Sequence, residues 1–282
     1  MPLNPDAVGS KSDPIQRSWD SKDSLIYALG VGAGAADALD ELEFTTENTS
    51  GKPQRALPTM AVVLAPLGGI GDIGTFNPAM LVHGEQGITL HRELPVEGTL
   101  DAVSEVVGIY DKGKGGVVVW ETKCTMDGQP LLDTRMSAFI RGEGGWGGDR
   151  GPSGPTNVAP EREPDVTVTV QTRQDQALIY RLSGDRNPLH NDPAFAAMGG
   201  FDKPILHGLC TYGFTGRALL HALCGSDPAK FKGMDARFAS PVLPGEALTV
   251  KAWQEGDGKA IYQTLGGDGR VVIDSGLLTY EA

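Results

Sequence analysis

The sequence predicts an α+β chain made of two related halves, each a helix wrapped by an antiparallel sheet. Three observations carry that reading. A Gly- and Pro-rich stretch divides the chain, short motifs recur in one order on either side of it, and β-branched or alternating segments separated by turns follow in each half. The division places a first repeat at 1–141, a linker at 142–160 and a second repeat at 161–282.

Leu25-Ile26-Tyr27-Ala28-Leu29 matches Leu178-Ile179-Tyr180-Arg181-Leu182. Leu57-Pro58-Thr59-Met60 opens an apolar, helix-like run through Ala65 and corresponds to Leu206-His207-Gly208-Leu209, which opens a run to Leu223. A weaker match relates Pro95-Val96, with Gly98 and Leu100, to Pro241-Val242, with Gly245 and Leu248. Matches in one order at a nearly constant offset indicate internal duplication. The copies differ where chemistry would sit, because Gly32, Ala33 and Gly34 stand where the second half has Asp185, Arg186 and Asn187. The first half is therefore expected to shape a binding surface for the second.

Strands are expected at 102–110, 116–125, 247–254, 259–265 and 270–280, with turns at 111–113 and 268–269. Between Cys210 and Leu223, Tyr212, Phe214, Leu219, Leu220 and Leu223 alternate with Gly213, Thr215, Gly216 and Ala218. That pattern predicts a buried central helix packed closely on a sheet. Asp192-Pro193, then 194–198 and Gly199-Gly200, reads as a short helix with an N-cap, a proline start and a glycine stop.

With 282 residues and 40% hydrophobic content the chain can bury a full core. The net charge of −12 argues against nucleic acid as a partner, since phosphate binding needs clustered Lys and Arg. No apolar run approaches the roughly 20 residues of a membrane span. Met1 to Ser12 lacks the basic start and apolar middle of a signal peptide, and Leu278 to Ala282 carries no Ser-Lys-Leu-type address, so the expected location is the cytoplasm. Cys124, Cys210 and Cys224 are too few and scattered for a disulfide framework or zinc knuckle.

The chemistry concentrates in 180–190. Gly184 and Pro188 predict a short, stiff turn that projects Asp185 and His190 towards one water, a carboxylate and an imidazole suited to acid/base work. Asn187 orients that water or the catalytic side chains, or bonds its own backbone in the turn, and the two are compatible. The N–H of Gly208, at a helix start, is a candidate to hold a developing oxyanion; close packing alone would also explain the glycine. A metal site from Asp185, His190, Asp192 and His207 is the competing arrangement, without His-x-x-x-His or Cys-x-x-Cys spacing to support it.

These residues resemble the MaoC-like dehydratases, specifically the type-2, R-specific enoyl-CoA hydratases of double hot-dog form. The resemblance lies in Gly184-Asp185-Arg186-Asn187-Pro188-Leu189-His190, Ile205-Leu206-His207-Gly208-Leu209-Cys210 and Arg237-Phe238-Ala239-Ser240-Pro241-Val242 with Pro244-Gly245. First-half pieces match too: Leu57-Pro58-Thr59, Leu81-Val82-His83-Gly84-Glu85-Gln86, Leu94-Pro95 and Asp111-Lys112-Gly113. It implies two hot-dog repeats side by side and reversible hydration of a trans-2-enoyl-CoA to a (3R)-3-hydroxyacyl-CoA, in fatty acyl or sterol side-chain metabolism. Asp185 and His190 would activate one water, and Gly208 would be the oxyanion donor. His83, Gly84, Lys112 and Phe238 would bind substrate, with Arg186, Lys114 or Lys203 adding local positive charge for the phosphate-rich CoA. No cofactor is implied beyond the CoA of the substrate, and a homodimer is expected by likeness. A hot-dog thioesterase and a non-catalytic acyl-CoA-binding module are the alternatives. Gly68, Gly69, Gly71 and Gly74 are expected to open room for a long or bulky acyl tail where a helix would have continued.

Overall fold

The computed structural model describes residues 3–67, 72–154 and 156–282. Among these residues ten strands form one antiparallel sheet in the order β1-β3-β4-β5-β2-β7-β10-β9-β8-β6. The first half supplies β1 (Ile15–Trp19), β2 (Leu81–Leu90), β3 (Gly98–Asp111), β4 (Gly115–Met126) and β5 (Gln129–Arg141). The second supplies β6 (Val166–Gln171), β7 (Phe231–Phe238), β8 (Ala247–Gly256), β9 (Lys259–Leu265) and β10 (Val271–Tyr280). Read inward from its own edge, each half has the same strand order. The halves join where β2 pairs with β7, from Glu85 opposite Arg237 to Thr89 opposite Gly233.

The strands expected from alternation are β3, β4, β8, β9 and β10. Both seam strands escape that signal: Gly84 and Gly87 interrupt β2, and Gly233 interrupts β7. Glycine within a strand contributes no side chain to the alternating pattern and marks a bulge or a close backbone approach. Gly84 is such a case, lying at a register shift between His83 and Glu85 in the β2–β5 ladder.

Among the described residues six α-helices accompany the sheet: α1 (Ser21–Gly30), α2 (Leu42–Thr45), α3 (Ala61–Leu64), α4 (Gln176–Tyr180), α5 (Pro193–Met198) and α6 (Gly208–Leu223). α6 is the central helix, with Cys210, Tyr212, Phe214, Leu219 and Leu220 buried, and the Tyr212 hydroxyl donates to the Met234 carbonyl at 2.6 Å. Its counterpart in the first half is reduced to a 3-10 turn, Pro58–Met60, and the four residues of α3. Pro66 explains the stop, because the residue before a proline is pushed out of helical angles; Ala65 has φ −81° and ψ 99°. Beyond α3 the buried face of the first sheet is covered instead by Leu3 and Ala7, which pack on Val106, Ile109, Val118, Trp120, Ala138 and Ile140. Gly68, Gly69 and Gly71 lie outside the described residues.

Between β5 and β6 the chain has no helix or strand among the described residues, as its Gly and Pro content predicts. It is nevertheless tied down. The Asp111 carboxylate accepts N–H bonds from Gly145 and Gly147, each 2.7 Å, and from Gly113 at 2.8 Å, which holds its pKa down at about 2. No helix of the described residues is long and apolar enough to cross a membrane.

Candidate active site

The reactive loop is built by bonds between side chains and their own backbone. α4 runs into a 3-10 turn, Arg181–Ser183, which Gly184 ends with φ 128°, an angle that favours glycine. Asp185 Oδ1 then accepts the Asn187 N–H at 3.1 Å, and Asn187 Oδ1 accepts the Leu189 N–H at 3.0 Å. These successive Asx turns, with Pro188 starting a 3-10 turn Pro188–His190, fix the chain with little loss of flexibility left to spend on binding. Asp192 continues the pattern by capping α5 through the Ala194 and Phe195 N–H groups.

His190 is turned inward and buried. Its Nδ1–H donates to the Ile205 carbonyl at 2.8 Å, which leaves the Nε2 lone pair free to accept a proton. Burial lowers its pKa from the ordinary imidazole value, against the opposing pull of the Ile205 carbonyl and the Asp185 carboxylate. A neutral base at neutral pH results.

His207 lies directly against His190, with ring centroids 3.8 Å apart and planes inclined by 29°. Its Nε2–H donates to the Asp185 carbonyl at 3.3 Å, and its buried Nδ1 has no partner among the described residues. Burial first, and the neighbouring His190 second, lower its pKa to about 4. Although it stands at the N-cap of α6, it makes no side-chain cap bond. Gly208 follows as the first helical residue, half-buried, and its N–H has no acceptor among the described residues. That N–H carries the partial positive charge of a helix start.

Phe238 covers Gly208: a Cβ there would sit 3.2 Å from the Phe238 ring. The same ring meets His83 of the first half edge-on, 4.9 Å between centroids. Loss of solvent around the half-buried His83 lowers its pKa to about 4, opposed first by its bond to the Glu85 carbonyl and then by the nearby Asp185 carboxylate. The bulge at Gly84 accounts for the way His83 is re-aimed.

The structure thus gathers Asp185, His190, Gly208, Phe238 and His83, with Gly84 shaping the last. Asn187 performs the turn role, with its amide nitrogen donating to no described residue. Arg186 is exposed on the same loop, without an ion-pair partner among the described residues. Lys112 is not drawn to this cluster: its Nζ donates to the carbonyls of Arg150 and, at 2.8 Å, Pro152. His207, which sequence reading joined to Asp185 and His190 only in the competing metal arrangement, stands against both of them. Its signal was the His-Gly pair opening a helix, which reads equally as packing.

Asp185, His190 and His207 each bring one ligand-capable atom within 4.8 Å of the others. One nitrogen of each imidazole is committed to a carbonyl, which leaves each ring one nitrogen free. Asp192 is spent on its cap.

Two repeats sharing one sheet, with a carboxylate and a neutral imidazole beside a helix start, define a double hot-dog protein. The chain belongs to the MaoC-like dehydratase family. The family model described as "MaoC like domain" matches residues 155–274, and that of the "MFE-2 hydratase 2 N-terminal domain" matches 18–142. The chain is 47% identical to the 3-hydroxyacyl-thioester dehydratase Y of Mycobacterium tuberculosis over 100% of both chains. It is 44% identical to the enoyl-CoA hydratase ChsH3 of the same organism over 91% of each. The crystal structure of a MaoC-like dehydratase from Phytophthora capsici superposes with a TM-score of 0.89 at 34% identity, covering 99% of this chain and 98% of that one.

Proposed function

We propose that the chain catalyses reversible addition of water to a trans-2-enoyl-CoA to give the (3R)-3-hydroxyacyl-CoA. The observation that carries this is the closeness of His190, its Nε2 free, to the Asp185 carboxylate, with the Gly208 N–H at the helix start that follows His207. Hydration of a conjugated thioester needs a base for the water, an acid for the α-carbon and a donor for the enolate oxygen. Here Asp185 and His190 hold one water between them. One water proton passes to the pair as the oxygen bonds to C3, the electron pair of the C2–C3 double bond moves towards the thioester carbonyl, and Gly208 N–H receives the developing charge. The pair then returns a proton to C2, which closes the balance at one water added.

The phosphate-rich CoA would meet the exposed Arg186, with His83 and Phe238 lining the approach. The reading extends to fatty acyl or sterol side chains, a homodimer and a cytoplasmic setting, on the strength of the family likeness.

Purified protein added to a medium-chain trans-2-enoyl-CoA is expected to remove the conjugated thioester absorbance and to yield a product oxidised only by an R-specific 3-hydroxyacyl-CoA dehydrogenase. Release of free CoA thiol would make the chain a thioesterase. No change with any chain length would leave an acyl-CoA-binding module.

A further inference from the structure

We propose that His207 is a positioning residue for the hydration step, holding the Asp185 carbonyl through Nε2–H and the imidazole of His190 through its ring face. The inference rests on the hydratase reading. Three observations support it.

The first is contact with both catalytic groups at once. His207 donates to the backbone of Asp185 and stacks on His190 at 3.8 Å, so one side chain spans the two ends of a loop whose tips must share a water. His190 is held at its other edge by Ile205, and the two restraints together leave its Nε2 one direction in which to point. Misplacing a reacting group by about 1 Å costs about 100-fold in rate, so such restraint has kinetic weight.

Chemistry supplies the second. A residue that only filled space here would be apolar, since burying a polar atom without a partner costs free energy. His207 is 1% exposed and its Nδ1 is unpaired among the described residues. The charged and titratable groups around it are His190, Asp185 and Arg181, with the Tyr180 ring 5.0 Å away. In that setting a neutral imidazole offers its π-face to His190 at the moment His190 becomes an imidazolium, which is a cation–π contact.

The third comes from the duplication itself. In the first half the positions matching Asp185 and Asn187 are Gly32 and Gly34, and the positions matching His207 and Gly208 are Pro58 and Thr59. Both matched segments open helical turns, at Pro58–Met60 and at Gly208. The half without a reactive loop has no imidazole at this position.

Two substitutions separate the two contacts. His207→Gln keeps an N–H donor and removes the ring; His207→Phe keeps the ring and removes the donor. Each is expected to lower kcat by about 10- to 100-fold while KM for a medium-chain enoyl-CoA stays within about threefold. In a His190→Ala background, His207→Gln should add little further loss, because residues acting as one unit are not additive. Folded variants with kcat within about twofold of wild type would overturn the proposal, as would losses that multiply in the double variant. Should either variant melt before assay, nitrogen-15 NMR of the wild-type histidines decides. A neutral His207 protonated on Nε2 and bare on Nδ1 is expected around neutral pH, and an imidazolium or the opposite tautomer would refute the assignment. Failure of the wild type itself to hydrate enoyl-CoA would instead remove the hydratase reading, with the NMR result still standing on its own.

Discussion

The rings of Tyr27 and Tyr180, matching residues of the two copies, meet edge-on with 6.1 Å between centroids and 60° between planes. The duplicated motifs therefore touch each other at the seam. Tyr180 also lies 5.0 Å from the His207 ring, so the first half braces the reactive loop from behind. The brace has polar ties as well: the Gly30 carbonyl accepts from Gln176 Nε2 at 2.7 Å and from Cys210 Sγ at 3.4 Å. The half that lacks the Asp185–His190 pair thus packs against and holds the half that carries it.

Asp185→Asn and His190→Ala are each expected to lower kcat by about two to four powers of ten, the usual range for removing a general acid or base. Neither should unfold the protein, since Asn retains an oxygen for the Asn187 N–H and alanine at 190 frees only the Ile205 carbonyl. Circular dichroism with steady-state hydration kinetics reads both. Full activity in either folded variant would reassign the roles.

Asn187 combines two duties that substitution can split. Asn187→Asp keeps the oxygen that accepts the Leu189 N–H but lacks the amide donors, whereas Asn187→Ala loses both. The aspartate variant should therefore melt near wild type and turn over slowly. The alanine variant should also lose stability, by about 1 kcal/mol as caps usually do. Thermal melts and kcat measured on one pair of preparations test this.

Much of the loop was legible in the sequence because it is local. Asp185 and Asn187 encode bonds to backbone two residues away, Gly184 and Pro188 encode the turn angles around them, and no distant partner is needed to read either. The stacking of His207 on His190 was not legible: the two are brought together by packing of α6 against the loop, and no periodicity marks it. The 142–160 segment shows the same limit. Composition speaks against a helix or strand there, and none lies among the described residues, but the anchoring of Gly145 and Gly147 on Asp111 depends on a turn more than 30 residues earlier in the chain. The shortening of the first-half helix lay between these cases, since Pro66 sits in plain view after the apolar run.

Acid should weaken the fold through histidines. His83 and His207 have folded-state pKa values of about 4, below the unfolded imidazole near 6.5, so the unfolded chain binds protons first as pH falls. Stability is then fully present above about pH 6.5, declines between about 6.5 and about 4, and loses no more from these groups below that. His190 adds in the same direction. Activity should fall over the acidic side as well, as His190 takes up a proton and ceases to be a base. Urea titrations at stepped pH give the stability slope, and one that is flat between pH 6.5 and 4 would contradict it.

Gly213 lies on the face of α6 turned to the first half, where an added Cβ would stand 2.4 Å from Val31 Cγ1 and 2.9 Å from the Tyr27 hydroxyl. Both neighbours are fully buried, and a β-branched valine has little rotamer freedom with which to retreat. Alanine is the better helix former by about 1 kcal/mol, so an isolated helix would gain from Gly213→Ala. Overpacking in a close-packed interior costs about 1–3 kcal/mol and should win. The variant is therefore expected to unfold at lower urea by about 1–2 kcal/mol. Because the strain falls on Tyr27, which braces Tyr180, kcat should drop along with stability, whereas a loss of stability alone would mean that the two halves are mechanically independent at this seam.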